Sequence, residues 1–560
     1  MATQCDTPTP QPDRTDYRLA LAIGVCGLAA YVRTLAPDVL YGDSAEFQTL
    51  AYTLGVTHST GYPIYLLLAR LLGFLPIGSP AWRVNLFSAV GAAVTLGNVF
   101  LLARYLTRSR IGALLGAVAL GLSYTFWSQA IIAEVYTPAL AVLSTILLLL
   151  WHWHEAPAVR NRALLLAAAL TGLGLGLHAF VVLIAPTAVV FVILTLVSER
   201  LRWPQWRQAL LAGVAGVAIG VGVFLIASLA IDLHNPPSSF IRVMLYPSRS
   251  LWGLTPADLD SPFERLWLTL AGRQWQDAMF PKDLDVAYEF VFYCDRLIRR
   301  EFSIPMLLCA MLGVIVALHT RPQPGVCWLV AFVTILYFVL HYQPPDKYIF
   351  YLPTSLLIAV ATGGGAGAVL EWAHRRFLGR RKRRYLSALY ALAVAALVWM
   401  TVRPSWPARW QALRDGVATF VQEDYVYPVD EPEEPRNLAT LRITSLPENA
   451  LVLSDWRALY TMLYLAHVER LRPDITILEA SPHGAEWDMV ADSMILELKD
   501  ALQEGRPVLT HHMYRNLREH FRMQPVPGGQ WYRLSLRQES TSAPHRPVPL
   551  RAVEAESVPL

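Results

Sequence analysis

The chain of 560 residues is poor in charge and in cysteine. Only 16% of its residues are Asp, Glu, Lys or Arg, against about 25% in an ordinary water-soluble domain. That shortfall excludes a conventional soluble fold. The five cysteines, Cys5, Cys26, Cys294, Cys309 and Cys327, contain no pair whose spacing marks a disulfide, so a stapled scaffold is excluded and the redox compartment stays open. No Gly-rich phosphate loop follows a strand, and no internal repeat stands out. The opening MATQCDTPTPQPDRTDYR lacks a basic stretch leading to a small-residue cleavage site, so the first apolar run is expected as a retained span. The formal charge is +4, but the basic residues sit between apolar runs rather than among aromatics on a wet face. A nucleic-acid partner is therefore not expected.

What is present is hydrophobic length: 54% of the chain is apolar or aromatic. A helix rising about 1.5 Å per residue needs roughly 20 such residues to cross a hydrocarbon core of about 30 Å. Segments near 18–36, 84–106, 111–130, 136–153, 209–231, 303–320, 326–342, 349–371 and 385–403 qualify. The stretch 163–197 is too long for one span and short for two. Basic RNR precedes it and ERLRWPQWR follows, and basic loops stay cytoplasmic, so it is expected as a hairpin with its tip near Gly176 and His178. This gives a polytopic α-helical membrane protein of about eleven spans. The same parity holds RSR (108–110), HTR (319–321) and the dense cluster HRRFLGRRKRR (374–384) inside.

Outside then fall the first loop 36–82, the turn around Glu134, the long loop 232–301 and HYQPPDKY (341–348). Residues 1–403 form the expected membrane domain. From 404 to 560 a Pro/Trp-rich and acidic connection leads into ALVLSD, an amphipathic helix and DITILEA, which read as a βαβ unit of a small α/β domain on the outer face. Lacking a phosphate loop, that domain is not expected to carry the chemistry.

The first loop holds YGDSAEFQTLAYTLGVTHSTGYP (41–63). Phe47, Leu50, Ala51 and Leu54 recur at helical spacing, so 44–54 is expected as a short amphipathic helix along the membrane surface, followed by a second helix too short to span. Asp43 or Ser44 as a helix cap with Glu46 in the first turn is the plain structural reading. Against it, acidic and imidazole groups at a membrane interface are costly unless paired or used.

YGDSAEF, GVTHSTGYP, WRVNLFSAV and WSQAIIAEVYTPAL, in this order, resemble the GT-C superfamily of integral-membrane glycosyltransferases. The nearest resemblance is to the transmembrane protein O-mannosyltransferases, which include the animal enzyme for immunoglobulin-like receptor domains and its bacterial relatives. The likeness is strongest over 37–190 and continues more weakly through GRQWQDAMF (272–280), YQPPDKYIFYLP (342–353) and, within 446–479, LPENALVLSD and ERLRPDITILE. Two places depart: Ser59 stands where the family has Pro, and SRSLWGLTPAD stands where a Trp-Gly-Asp-Pro element is usual.

The resemblance implies a sugar, mannose in the nearest relatives, carried on a polyprenyl phosphate, a hydroxyl acceptor on a secreted or membrane protein, and a catalytic carboxylate at Asp43. Transfer passes through an oxocarbenium-like centre, and Asp43 is expected as general base with inversion. Glu46, His58, Tyr62, Glu134, Tyr136 and His178 are expected to bind sugar or acceptor. Arg273, Lys347, Arg242 and Arg249, with His58 as a further choice, are expected at the lipid phosphate. No metal is called for, because a monophosphate leaving group lessens the need. The rivals are a GT-C enzyme acting on a lipid-linked or cell-wall glycan and a polyprenyl-lipid transporter or flippase; the latter should carry its charges at the bilayer midplane. Arginine far outnumbers lysine, and a bacterial plasma membrane is the expected location.

Overall fold

The computed structural model describes residues 11–377, 383–403, 406–416, 429, 431–480 and 489–537. Cys5, part of the basic cluster (378–382) and most of the acidic connection (417–428) lie outside the described residues. The helices run α1 (Arg14–Arg33), α2 (Gly42–Thr53), α3 (Pro63–Leu72), α4 (Pro80–Leu106), α5 (Arg110–Gly121), α6 (Tyr124–Ala130), α7 (Tyr136–His154), α8 (Asn161–Gly174), α9 (Ala185–Ser198) and α10 (Trp203–His234). They continue with α11 (Pro262–Leu270), α12 (Val286–Arg296), α13 (Ile304–Thr320), α14 (Pro322–Leu340), α15 (Leu352–Phe377) and α16 (Arg383–Val402).

Each apolar segment expected to span is helical. Among the described residues seven helices are long and apolar enough to cross a membrane, or up to nine if each of two bent pairs is one span. One pair, α5 and α6, bends by 67°; the other bends by 114° where the α12 segment meets α13. The expected count of about eleven adds α8 and α16; α8 has 14 residues, which at about 1.5 Å each fall short of the hydrocarbon thickness. The 163–197 stretch is a hairpin. Trp153 Nε1 donates to Asn161 Oδ1 at 3.3 Å and His154 Nδ1 meets Thr195 Oγ1 at 2.9 Å, so both hairpin ends lie beside the end of α7.

Lipid offers no hydrophobic gain for helix pairing, so these helices approach through small residues. At α8 against α10 the contact is backbone to backbone: a Cβ added to Gly216 would lie 2.3 Å from the Leu165 carbonyl oxygen, and one at Gly220 2.0 Å from that of Ala169. At one end of the bundle Asp16, fully buried, takes both Arg104 and Arg110, and Asp13 takes Arg110 at 2.7 Å.

The tail begins with α17 (Trp406–Asp415) and α18 (Glu434–Thr444) and forms a five-stranded sheet in the order β2-β1-β3-β5-β4. The expected βαβ unit is β1 (Leu451–Ser454), α19 (Trp456–Leu463) and β2 (Thr476–Glu479), with the strands parallel and Leu451 opposite Thr476. The helix α20 (Asp492–Gln503) leads to β3 (Val508–Thr510), which pairs parallel to β1. The strands β4 (Phe521–Pro525) and β5 (Tyr532–Leu536) close the sheet as an antiparallel pair. The α19 side of the tail belongs to the same apolar core as the bundle, while the α20 side has a smaller core of its own.

Candidate functional site

Residues 42–51 form most of α2, and all are buried except Asp43. This corrects the expectation of a helix lying along a surface: α2 is packed between other parts of the protein, against α3, α4 and α19. It also removes the capping reading. The residue before α2 is Tyr41, with no side-chain cap bond. Ser44 Oγ donates to Glu134 Oε1 at 3.2 Å, and Glu46 turns the other way, to His58.

Glu46 accepts twice from one residue: from the His58 backbone N–H at 2.8 Å and from Nδ1 at 2.5 Å. Burial pushes the Glu46 carboxyl up. Burial alone would lower His58, but the carboxylates of Glu46 and Asp43 outweigh it and raise the imidazole to about 9. With Nδ1 committed, Nε2 is the nitrogen left for the adjoining space.

That space is a cavity of about 460 Å³. The four loops expected on one side of the membrane all reach it: Asp43, His58 and Tyr62 from the first, Glu134 from the second, Gln274 and Trp275 from the long loop, and Tyr342 and Asp346 from the last. His178, at the hairpin tip, accepts from the Phe180 N–H at 3.1 Å and stacks on Tyr62 with ring centroids 5.8 Å apart. Burial and the neighbouring His58 lower its imidazole to about 3, so it is neutral. Tyr136 Oη donates to Asp346 Oδ2 at 3.1 Å. Burial, then the Asp43 charge, raise Asp346 to about 6, and the same two causes push Glu134 up.

Six of the residues singled out from sequence therefore line one cavity, Asp43, His58, Tyr62, Glu134, Tyr136 and His178, with Glu46 behind His58. The four cations chosen for a phosphate do not. Lys347 is buried in an ion pair with Glu289 at 2.5 Å. Arg249 pairs with Glu497 at 3.3 Å and lies over Tyr246. Arg242 and Arg273 are exposed, although Gly272 and Gln274 on either side of Arg273 line the cavity. The lining contains no Arg or Lys among the described residues, which leaves His58 as its cationic side chain.

The sequence reading singled out none of Gln274, Trp275, Tyr342, Asp346 and Trp456, which also line the cavity. Asp346 lies beside Lys347 in YQPPDKYIFYLP, and attention to the cation passed over it. Trp456 follows β1 in the tail; its Nε1 donates to Asp43 Oδ1 at 2.7 Å. The carboxyl end of parallel strands is where open α/β sheets place ligands, so the SDW turn after β1 carried a usable signal. Among the described residues no group of three or more His, Cys, Asp or Glu is placed to hold a metal ion.

Residues 43–201 match the family model described as the N-terminal domain of protein O-mannosyl-transferase TMEM260. Over 121 residues the chain is 36% identical to the mouse protein O-mannosyl-transferase TMEM260, a match spanning 21% of this chain and 17% of that protein's length. The fold is similar to that of ArnT from Cupriavidus metallidurans in its crystal structure bound to undecaprenyl phosphate, with a TM-score of 0.51, 14% identity, and coverage of 95% of this chain and 100% of that one. At that identity the likeness concerns the fold: a multi-pass helical membrane protein with a C-terminal sheet domain.

Proposed function

We propose that the chain is a membrane glycosyltransferase that moves mannose from a polyprenyl-phosphate donor to a hydroxyl of a secreted or membrane protein, on the extracytoplasmic side of the plasma membrane. Asp43 is the general base and the anomeric centre inverts. The observation that carries the reading is the placement of Asp43: the half-buried member of an otherwise buried stretch, it lines a cavity reached by all four polar loops. The resemblance of 43–201 to an O-mannosyltransferase domain supports the reaction class. The fold shared with ArnT, solved with undecaprenyl phosphate, supports the donor class.

A glycosyl phosphate needs its anomeric C–O bond to the phosphate to break as the acceptor oxygen attacks from the opposite face. The Asp43 carboxylate takes the hydroxyl proton late, as that bond forms. In this reading the imidazolium of His58, braced from behind by Glu46, offsets the charge gathering on the departing phosphate. Glu134 and the Tyr136–Asp346 pair supply acceptors and a donor for sugar hydroxyls. The chemistry asks for no divalent ion, so turnover in EDTA should equal turnover without it; loss restored by Mn²⁺ or Mg²⁺ would refute that part.

The decisive experiment gives the purified full chain a short-chain polyprenyl-phosphate mannose and a recombinant immunoglobulin-like β-sandwich domain, and follows the acceptor's mass. A gain of one hexose per modified Ser or Thr is expected. Transfer to a lipid-linked glycan in place of the protein would move the acceptor to the other GT-C class. Hexose transfer to neither sinks the reading.

A further inference from the structure

The hydrogen bond from Trp456 to Asp43 joins positions 413 residues apart, and its surroundings set it apart from an indole that merely found a partner in the core. The start of α19 is held at three levels. Asp455 caps it, accepting from the Ala458 N–H at 2.9 Å, and is itself paired with His511 Nε2 at 2.9 Å. Thr461 Oγ1 donates to the Leu40 carbonyl at 2.6 Å, just ahead of α2. Thr49 Oγ1, on α2, donates to the Tyr460 carbonyl at 3.1 Å. The indole ring meets the His58 and Phe240 rings edge to face, with centroids 6.0 and 6.3 Å away. Trp456 and Asp43 therefore keep one relative position.

An indole N–H donates and cannot accept or ionise. Given to Asp43 Oδ1, it fixes the carboxylate's rotation. Oδ2 has no hydrogen-bond partner among the described residues and is left as the proton acceptor. We infer that Trp456, contributed by the C-terminal sheet domain, is a positioning residue for the catalytic carboxylate, and that the His511–Asp455 pair acts through it by seating α19. This rests on Asp43 serving as the base. The sheet domain is then part of the catalytic apparatus, against the expectation drawn from its lack of a phosphate loop.

The titratable groups facing Asp43 are Glu46 on the same helix, His58 and Tyr62 on the first loop, Glu134 and Tyr136 at the start of α7, Asp346 on the last loop and Tyr460 on α19. All remain in Trp456→Phe, so a change in that variant reports the lost N–H. The test uses the full chain with the donor and acceptor probes named above. Trp456→Phe should lower kcat about tenfold, the size expected for one hydrogen bond to a charged group. The KM for donor should stay within about twofold.

A second readout needs no turnover: with the indole N–H no longer holding Oδ1, carbodiimide modification of Asp43 at one fixed pH, read by peptide mass, should quicken about threefold or more. Should the Phe variant fail to accumulate, Asp455→Ala is measured for the same two changes. Unchanged kcat and labelling in the variant that folds overturns the inference. A wild type that labels as expected yet transfers no sugar overturns the transferase reading and leaves the Trp456–Asp43 contact standing.

Discussion

Two parts of the cavity lining differ in what built them. Asp43, His58 and Glu134 come from short helices and turns between spans, and each has a polar partner in Trp456, Glu46 or Ser44. Leu175, Val182, Leu183 and Phe338 come from the hairpin and the end of α14, and they offer only apolar surface. A saccharide needs directed hydrogen bonds, whereas a prenyl chain needs nothing beyond area removed from water. Under the proposed function the contrast gives each half of the donor its place, with the costly groups on the half where charge moves.

Asp43→Asn is the strongest test of that division, because it keeps shape and removes the proposed base. Turnover should fall by about 10² to 10⁴ with folding intact; near-normal turnover would erase the distinction between the two parts. Lys347→Met tests whether a cation outside the lining has a structural role alone. It leaves the partly buried Glu289 without its partner, at a cost below the about 3 kcal/mol of breaking a fully buried pair. The melting temperature should drop while KM for donor holds, and a raised KM would bring Lys347 back to the phosphate.

Leu183→Gln sharpens the apolar side. It should raise KM for long-chain donors roughly tenfold, as expected for about 1.4 kcal/mol of lost apolar contact, and leave short-chain donors nearly unaffected. Equal effects on both would place the chain elsewhere. The smallest effect is on stability against pH. The folded His58 has its pKa raised to about 9 from the ordinary 6.5, so its contribution is complete below about 6.5 and fades as pH climbs through 9. Glu46→Gln should flatten that decline in thermal stability between pH 7 and 9.5; an unchanged slope would dissolve the pair's role.

Much of this was legible in order along the chain. Apolar length announced the spans, flanking arginines announced the 163–197 hairpin, and the alternation of ALVLSD, a helix and DITILEA announced parallel β1 and β2. The polar cluster was legible where it is local, in 41–63. Contacts between distant segments were not. Nothing in the tail's own pattern says that α19 covers α2, so α2 was read as a surface helix and Trp456 went unnoticed. Single arginines in the 232–301 loop were also opaque: a lone charge in a loop does not declare which way it faces, and Arg242 and Arg273 face out. The place of Lys347 was opaque for a different reason, because its partner Glu289 lies 58 residues away.

The distance in sequence between Asp43 and Trp456 has a consequence for biogenesis. Chains emerge from the ribosome N-terminus first, so the aspartate is in place long before the indole is made. A nascent or prematurely stopped chain would carry a bundle with an unroofed cleft, unable to act on the donor lipid around it. Competence would arrive only when the final segment closes over the first loop.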